Sequence, residues 1–308
     1  RSTLVSWARR CVEETVLVRG AVNFSLKIKI PAFIGSLTVV ALGTSAPELL
    51  VAIRATLDDA PGIALGNVVG SNIANVFLVL GIPALIAGIN TSNYNTGKNY
   101  LFMMAATIVF LSLAFSGNFS PSHGFVLLFL LAVFLFVTAR DTLKMQKEIP
   151  SSEVENADPK LAFWKIILFL SLGLIGLPVG ADILIENASL IAKSYGLSDE
   201  IIGLTLIALG TSLPELATTL MAALRRQADV ALGNVIGSNI FNILAIVGIT
   251  TMFGNLPIAA SFYNFDFWIM FGAGIVLFPF VYMRVNITRL WGAFLSLSYA
   301  SYLYLTIQ

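Results

Sequence analysis

Two glutamates stand inside apolar runs of this chain, each framed by the same residues. Residues 41–49 read ALGTSAPEL and 208–216 read ALGTSLPEL, which puts Glu48 and Glu215 in matching positions. Each motif is followed by a second near-copy, ALGNVVGSNIANVF from Ala64 and ALGNVIGSNIFNIL from Ala231. One offset of 167 residues relates both pairs, Ala41 to Ala208 and Ala64 to Ala231, so the blocks and their spacer were duplicated together. An ionised carboxylate is costly in an apolar segment and usually functional there. Thr44 and Ser45 lie four and three residues before Glu48, so on a helix their hydroxyls share its face. That gathers oxygen donors, the ligands hard cations prefer. One copy alone reads equally well as a helix end with a snorkelling glutamate; two copies at equivalent depth weigh against it.

The second block adds neutral oxygens. Asn67, Ser71 and Asn75 recur every four residues and form one polar stripe, matched by Asn234, Ser238 and Asn242. Amide and hydroxyl oxygens complete a cation shell without adding charge. Packing is the competing explanation, because Gly66-x-x-x-Gly70 and Gly233-x-x-x-Gly237 let helices approach closely. Both are expected together, with Ser71, Asn75, Ser238 and Asn242, deeper in the apolar run, as the better ligands.

The elements that carry these residues must lie in a bilayer. The chain is 57% hydrophobic and 11% charged, with a mean hydropathy of +0.87 over 308 residues. Apolar stretches long enough to cross fall near 30–57, 62–88, 99–116, 123–139, 162–192, 199–224, 229–253, 265–284 and 289–306. The polar segment from Lys144 to Lys160 reads as a solvated linker. The division is therefore a first repeat over 1–139, a linker over 140–160 and a second repeat over 161–308. The 167-residue offset extends the repeat back to about residue 13, where the match collapses: residues 168–179 are apolar, while 1–12 carry three arginines. The first of ten helices is accordingly expected to be incomplete, the alternative being an amphipathic helix on the membrane surface.

Basic residues give the orientation. The loops on one side hold Lys27, Lys29, Lys98, Arg140, Lys144, Lys147, Lys160, Arg225, Arg226, Arg284 and Arg289; the other side offers Arg54 and Lys193 once the first 20 residues are set aside. The excess places the linker in the cytoplasm and the C-terminus outside. Five helices per half then make the repeats inverted. The expected fold is an all-α polytopic membrane protein of two inverted five-helix repeats, with helices broken near the midplane. Pro47 and Pro214 remove a backbone donor, and Gly43 and Gly210 loosen the helix before them. Such a break must line a polar cavity within the bundle. Around a pseudo-twofold axis Glu48 and Glu215 approach one another, and two close carboxylates need compensating cations or protons. A site that resists emptying favours exchange over leak.

GTSAPE with GNVVGSNIAN, and GTSLPE with GNVIGSNIFN, resemble the two alpha-repeat motifs of the calcium/cation antiporter superfamily, in its microbial sodium/calcium exchanger branch. The resemblance covers the chain from about residue 13 to its end. It implies exchange of external sodium for internal calcium across the plasma (inner) membrane. It also implies a ligand set of Glu48 and Glu215, the hydroxyls of Thr44, Ser45, Thr211, Ser212, Ser71 and Ser238, the amides of Asn75 and Asn242, and the backbone carbonyls of Ala41 and Ala208. No cofactor is implied; calcium and sodium are cargo, the bilayer is the partner, and no obligate protein partner is expected. Some relatives, potassium-dependent exchangers among them, carry Asp where this chain has Asn242, which argues against potassium co-transport. The proton-coupled branch usually lacks the GTSxPE form. Calcium/proton, other divalent and potassium-dependent exchange stand as alternatives.

Other classes fit worse. The one histidine, His123, lies in a short polar turn without an acidic neighbour, and neither HExxH nor GxGD occurs, so an intramembrane protease lacks its chemistry. No TVGYG filter or arginine-rich sensor helix marks a channel. A net charge of +1 gives no hint of nucleic acid, and the single Cys11 has no internal disulfide partner. Asp182 and Glu186 appear as the only other intramembrane acids of note. Thr15 and Arg19 replace them in the first copy, so a structural or cavity-rim role is expected.

Overall fold

The computed structural model describes residues 44–91, 96–145, 196–226 and 228–307, together with 162–165, 167 and 190. Among them, six helices are long and apolar enough to cross a membrane, and a seventh span is a bent pair, Asp199–Thr211 with Leu213–Leu224. These fall within a few residues of the spans expected from hydropathy. The first helix, the expectation of its incompleteness with it, most of the span over 162–192 including Asp182 and Glu186, most of the linker, and Ala41 lie outside the described residues.

The first repeat begins with α1 (Ala46–Leu57) and α2 (Pro61–Ala74), continues through a π-helical turn at Asn75–Val79 into α3 (Gly81–Ala87), and closes with α4 (Gly97–Ala114) and α5 (Pro121–Met145). In the second repeat, α6 (Asp199–Ile202), a π turn at Gly203–Ile207 and α7 (Ala208–Thr211) form the first half of the broken span. Its second half is α8 (Leu213–Leu224), followed by α9 (Ala228–Phe241), a π turn at Asn242–Ile246 and α10 (Val247–Thr250). The chain ends in α11 (Phe267–Val276), α12 (Phe278–Val281) and α13 (Arg289–Ile307). The offset of 167 carries α1 onto α8, α2 onto α9 and the Asn75 π turn onto the Asn242 π turn without slippage. α5 runs past residue 139 to Met145, because polar residues continue a helix once it leaves the bilayer.

Glycine sets how closely the repeats approach. A Cβ on Gly66 would lie 2.6 Å from the Glu200 carbonyl oxygen, and one on Gly70 2.4 Å from that of Leu204. Conversely, one on Gly203 would lie 2.5 Å from the Ile63 carbonyl oxygen. The small-residue faces of α2 and of the Asp199–Thr211 half-helix thus bring backbone against backbone across the repeat boundary.

Two short β contacts also join the repeats. β1 (Asn118–Phe119) pairs antiparallel with β2 (Leu256–Pro257), and Ile89 bridges Ile287. Ile89 shifted by 167 is Leu256, so the two contacts are near-equivalents in the duplication. They lie at opposite ends of α4 and hence on opposite membrane faces. Thr91 reinforces the second, its N–H donating to Asn286 Oδ1 at 3.1 Å and its hydroxyl to the Val285 carbonyl at 2.7 Å. Phe110 stacks on Phe119 and meets Phe267 edge-on, which continues the core under the first.

Candidate cation site

The bend in each repeat falls at a serine. Ser45 (φ −87°, ψ 5°) and Ser212 (φ −82°, ψ 3°) leave helical geometry in the same way. In the second repeat the half-helices meet at 44°. Pro47 and Pro214 sit in the first turn of the following helix, where a missing N–H is tolerated. Glu48 and Glu215 therefore occupy the third position of α1 and α8, at the positive end of a helix dipole.

The two bends serve each other. Ser45 donates to Glu215 Oε1 at 3.4 Å, and Thr44 also lies beside Glu215. Thr211 lies beside Glu48, and the two carboxylates are within Coulombic range. α1 packs against the Asn242 π turn and α8 against the Asn75 π turn, so each glutamate-bearing half-helix meets the asparagine-bearing turn of the other repeat.

Buried polar atoms in proteins are nearly always hydrogen-bonded, yet this centre holds many that are not. Glu48 and Glu215 are fully buried. Both oxygens of Glu48 and Oε2 of Glu215 accept no hydrogen bond. The hydroxyls of Ser212 and Ser238, Oδ1 of Asn75 and both amide atoms of Asn242 are likewise buried without a partner. Such a set costs folding energy in a protein interior. It fits a hard cation, which takes six to eight oxygens. Among the described residues no three His, Cys, Asp or Glu side chains gather as a metal cluster, so the oxygens beyond the two carboxylates are neutral.

The expected residues divide by what they touch. Asn67 Nδ2 donates to the Glu48 carbonyl at 3.3 Å, and Asn234 Nδ2 to the Glu215 carbonyl at 3.2 Å. These amides fasten α2 to α1 and α9 to α8, at the backbone of the carboxylates themselves. Asn67 Oδ1 accepts from Thr211 at 3.1 Å and from Ser71 at 3.5 Å. Asn234 also donates to Thr219 at 3.0 Å. The Ala208 carbonyl already accepts the Ser212 N–H at 3.1 Å and the Thr211 hydroxyl at 3.4 Å. It is thus held within its own helix, as are the hydroxyls of Thr211, which also donates to the Ile207 carbonyl at 3.1 Å, and of Ser71.

Other features escape sequence reading. The π turns open at Asn75 and Asn242, at the residues of interest, as π turns often do. Asp266, 3% exposed in the span Phe262–Val281, accepts the Tyr302 hydroxyl at 3.0 Å. Asp182 and Glu186 are therefore not the only other intramembrane acids of note. Asp266 stands at the edge of an apolar run, where the hydropathy pattern gives no sign of its burial. His123 lies in the first turn of α5, where Nδ1 sits 3.1 Å from the Asn118 carbonyl and its ring packs edge-on against Phe119.

Two inverted helical repeats with broken spans converging on buried carboxylates are the architecture of a secondary transporter. The sodium/calcium exchanger protein family matches residues 12–140 and 165–308, and the chain belongs to that family. It is a membrane transporter, not an enzyme. It is 34% identical over 321 residues to the sodium/calcium exchanger MaX1 of Methanosarcina acetivorans, covering 93% of this chain and 92% of the relative. It is 32% identical over 251 residues to the inner membrane protein YrbG of Escherichia coli K12, covering 80% and 77%. Among solved structures, the sodium-calcium exchanger NCX_Mj soaked with sodium and strontium superimposes with a TM-score of 0.69 at 33% identity, covering 97% of this chain and 95% of the other.

Proposed function

We propose that the chain is a sodium/calcium antiporter of the plasma (inner) membrane that exports calcium as sodium enters, by alternating access. The observation that carries this reading is the pair Glu48 and Glu215, buried, drawn from opposite repeats, with three of their four carboxylate oxygens accepting no protein hydrogen bond. Calcium bridges the two carboxylates, with Ser238, Ser212, Asn75 and Asn242 supplying neutral oxygens and Thr44, Ser45, Ser71 and Thr211 bordering them. Ala41 and Ala208 offer backbone carbonyls, that of Ala208 while it accepts bonds within its own helix. The basic loops support a cytoplasmic linker and an external C-terminus, with repeats dividing at 1–139 and 161–308.

Charge balance sets the energetics. Two fixed negatives make the calcium-loaded site neutral and a site with about three sodium ions, the number suggested by family resemblance, singly positive. Each cycle then moves one charge, and 100 mV contributes about 2.3 kcal/mol. Radioactive calcium uptake into proteoliposomes under imposed sodium, potassium or proton gradients tests the reading. Three sodium ions leaving for each calcium that enters move one positive charge outward, so uptake driven by an outward sodium gradient should be accelerated by an inside-positive potential and slowed by an inside-negative one. The decisive result is simpler: sodium-driven uptake that responds to voltage supports electrogenic exchange, and uptake driven only by protons overturns sodium coupling.

A further inference from the structure

Asn72 and Asn239 each follow a site serine but lie off the stripe of Asn67, Ser71 and Asn75, and neither has a place in the cation shell. Asn239, 5% exposed, reaches across the repeat boundary twice. Its Nδ2 donates to the backbone carbonyl of Asn72 at 3.4 Å, and its Oδ1 accepts from Asn75 Nδ2 at 3.0 Å.

The direction of this chain follows from its first member. A backbone carbonyl only accepts, so the end of the Asn239 amide that faces it must be the NH2 group. The Asn239 oxygen then faces Asn75, and only the NH2 group of Asn75 can meet it. Asn75 is left with Oδ1 turned away from Asn239, fully buried and accepting nothing. Without this tether the amide can turn and present its NH2 group, which repels a cation.

We propose that Asn239 is a positioning residue of the cation site: it passes the fixed polarity of a first-repeat carbonyl to the Asn75 amide, so that Asn75 offers oxygen to the ion. The proposal rests on the reading of Asn75 as a ligand. The arrangement is one-sided. Asn72 Nδ2 donates instead to Val68 O of its own helix at 2.9 Å, and Asn242 has no partner at either amide atom. The duplication therefore placed asparagines for two relays, and one is made.

The test is sodium-dependent calcium flux in proteoliposomes for Asn239→Leu, Asn75→Ala, the double variant and Asn72→Leu. Asn239→Leu should raise the half-saturating calcium concentration about tenfold while maximal flux stays within about twofold, as expected for one lost ligand contact. Asn75→Ala should do the same, and the double variant should be no worse than Asn75→Ala, because residues acting through one contact are not additive. Asn72→Leu keeps its backbone carbonyl and should shift half-saturation by less than about twofold. If Asn239→Leu does not yield monodisperse protein, Asn239→Ser removes the same two bonds with less bulk and should shift half-saturation in the same direction. Wild-type half-saturation in a folded Asn239 variant, or effects that multiply in the double variant, overturn the relay alone. A wild-type protein without sodium-dependent flux overturns the proposed function, and the relay with it.

Discussion

The two repeats agree closely at their carboxylates and part company at their asparagines. Ser45 and Ser212 bend their chains through nearly the same dihedral angles, and Asn67 and Asn234 hold the Glu48 and Glu215 carbonyls at 3.3 Å and 3.2 Å. Beyond that the symmetry stops. Asn75 is tethered to Asn239, whereas the Asn242 side-chain amide is bonded to nothing. Backbone geometry follows from local sequence, which the duplication copied. Side-chain polarity follows from what each amide meets across the interface, and there the copies, alike in their asparagines, are bonded differently.

Glu48→Gln and Glu215→Gln are the strongest way to break the symmetric part. Each should abolish sodium-dependent calcium flux while leaving the protein folded, since Gln keeps the shape and removes the charge. Loss in one variant with undiminished flux in the other would show that the copies are not equivalent even there. Packing comes next. Gly70→Ala puts a methyl 2.4 Å from the Leu204 carbonyl and should lower stability by about 2 kcal/mol or more. Gly272→Ala meets nothing within 4 Å, so it should be neutral or stabilising by up to about 1 kcal/mol. Thermal unfolding in detergent compares the two.

The asymmetric part calls for a finer measurement. Asn75→Ala should raise half-saturating calcium about tenfold and Asn242→Ala only about threefold, because an amide already held in its binding orientation loses less entropy on binding. Equal effects in flux titrations would mean that the tether adds nothing. Smallest of all, Asn67→Leu and Asn234→Leu should each cost about 1 kcal/mol of stability for the bond to the glutamate carbonyl. Asn67→Leu should cost somewhat more, since its bonds from Thr211 and Ser71 go too, against one further bond, to Thr219, for Asn234.

How much of this is legible in the sequence depends on how local its cause is. The spans, the paired glutamates and the contact face of Gly66 and Gly70 follow from composition and spacing. The π turns at Asn75 and Asn242 do not, because one extra residue per turn leaves no mark in a hydropathy pattern. Asn239 recurs faithfully in the repeat, but its role depends on Asn75, which is 164 residues away along the chain and adjacent only after folding. Asp266 shows the converse limit. Its burial comes from α13 supplying Tyr302, and a residue at the margin of an apolar run gives no sign of such cover.

The two β contacts at opposite ends of α4 carry a mechanical consequence. Phe119 with Leu256, and Ile89 with Ile287, act as rivets on the two faces of the membrane, each fastening a loop of one repeat to a loop of the other. A plate riveted at two separated points cannot rock open at either face without shearing one of them. The helices between these rivets, α4 and those joined to it, are therefore tied to one another at both faces. A movement that opens either face spares both rivets only if it comes from elements that they do not join.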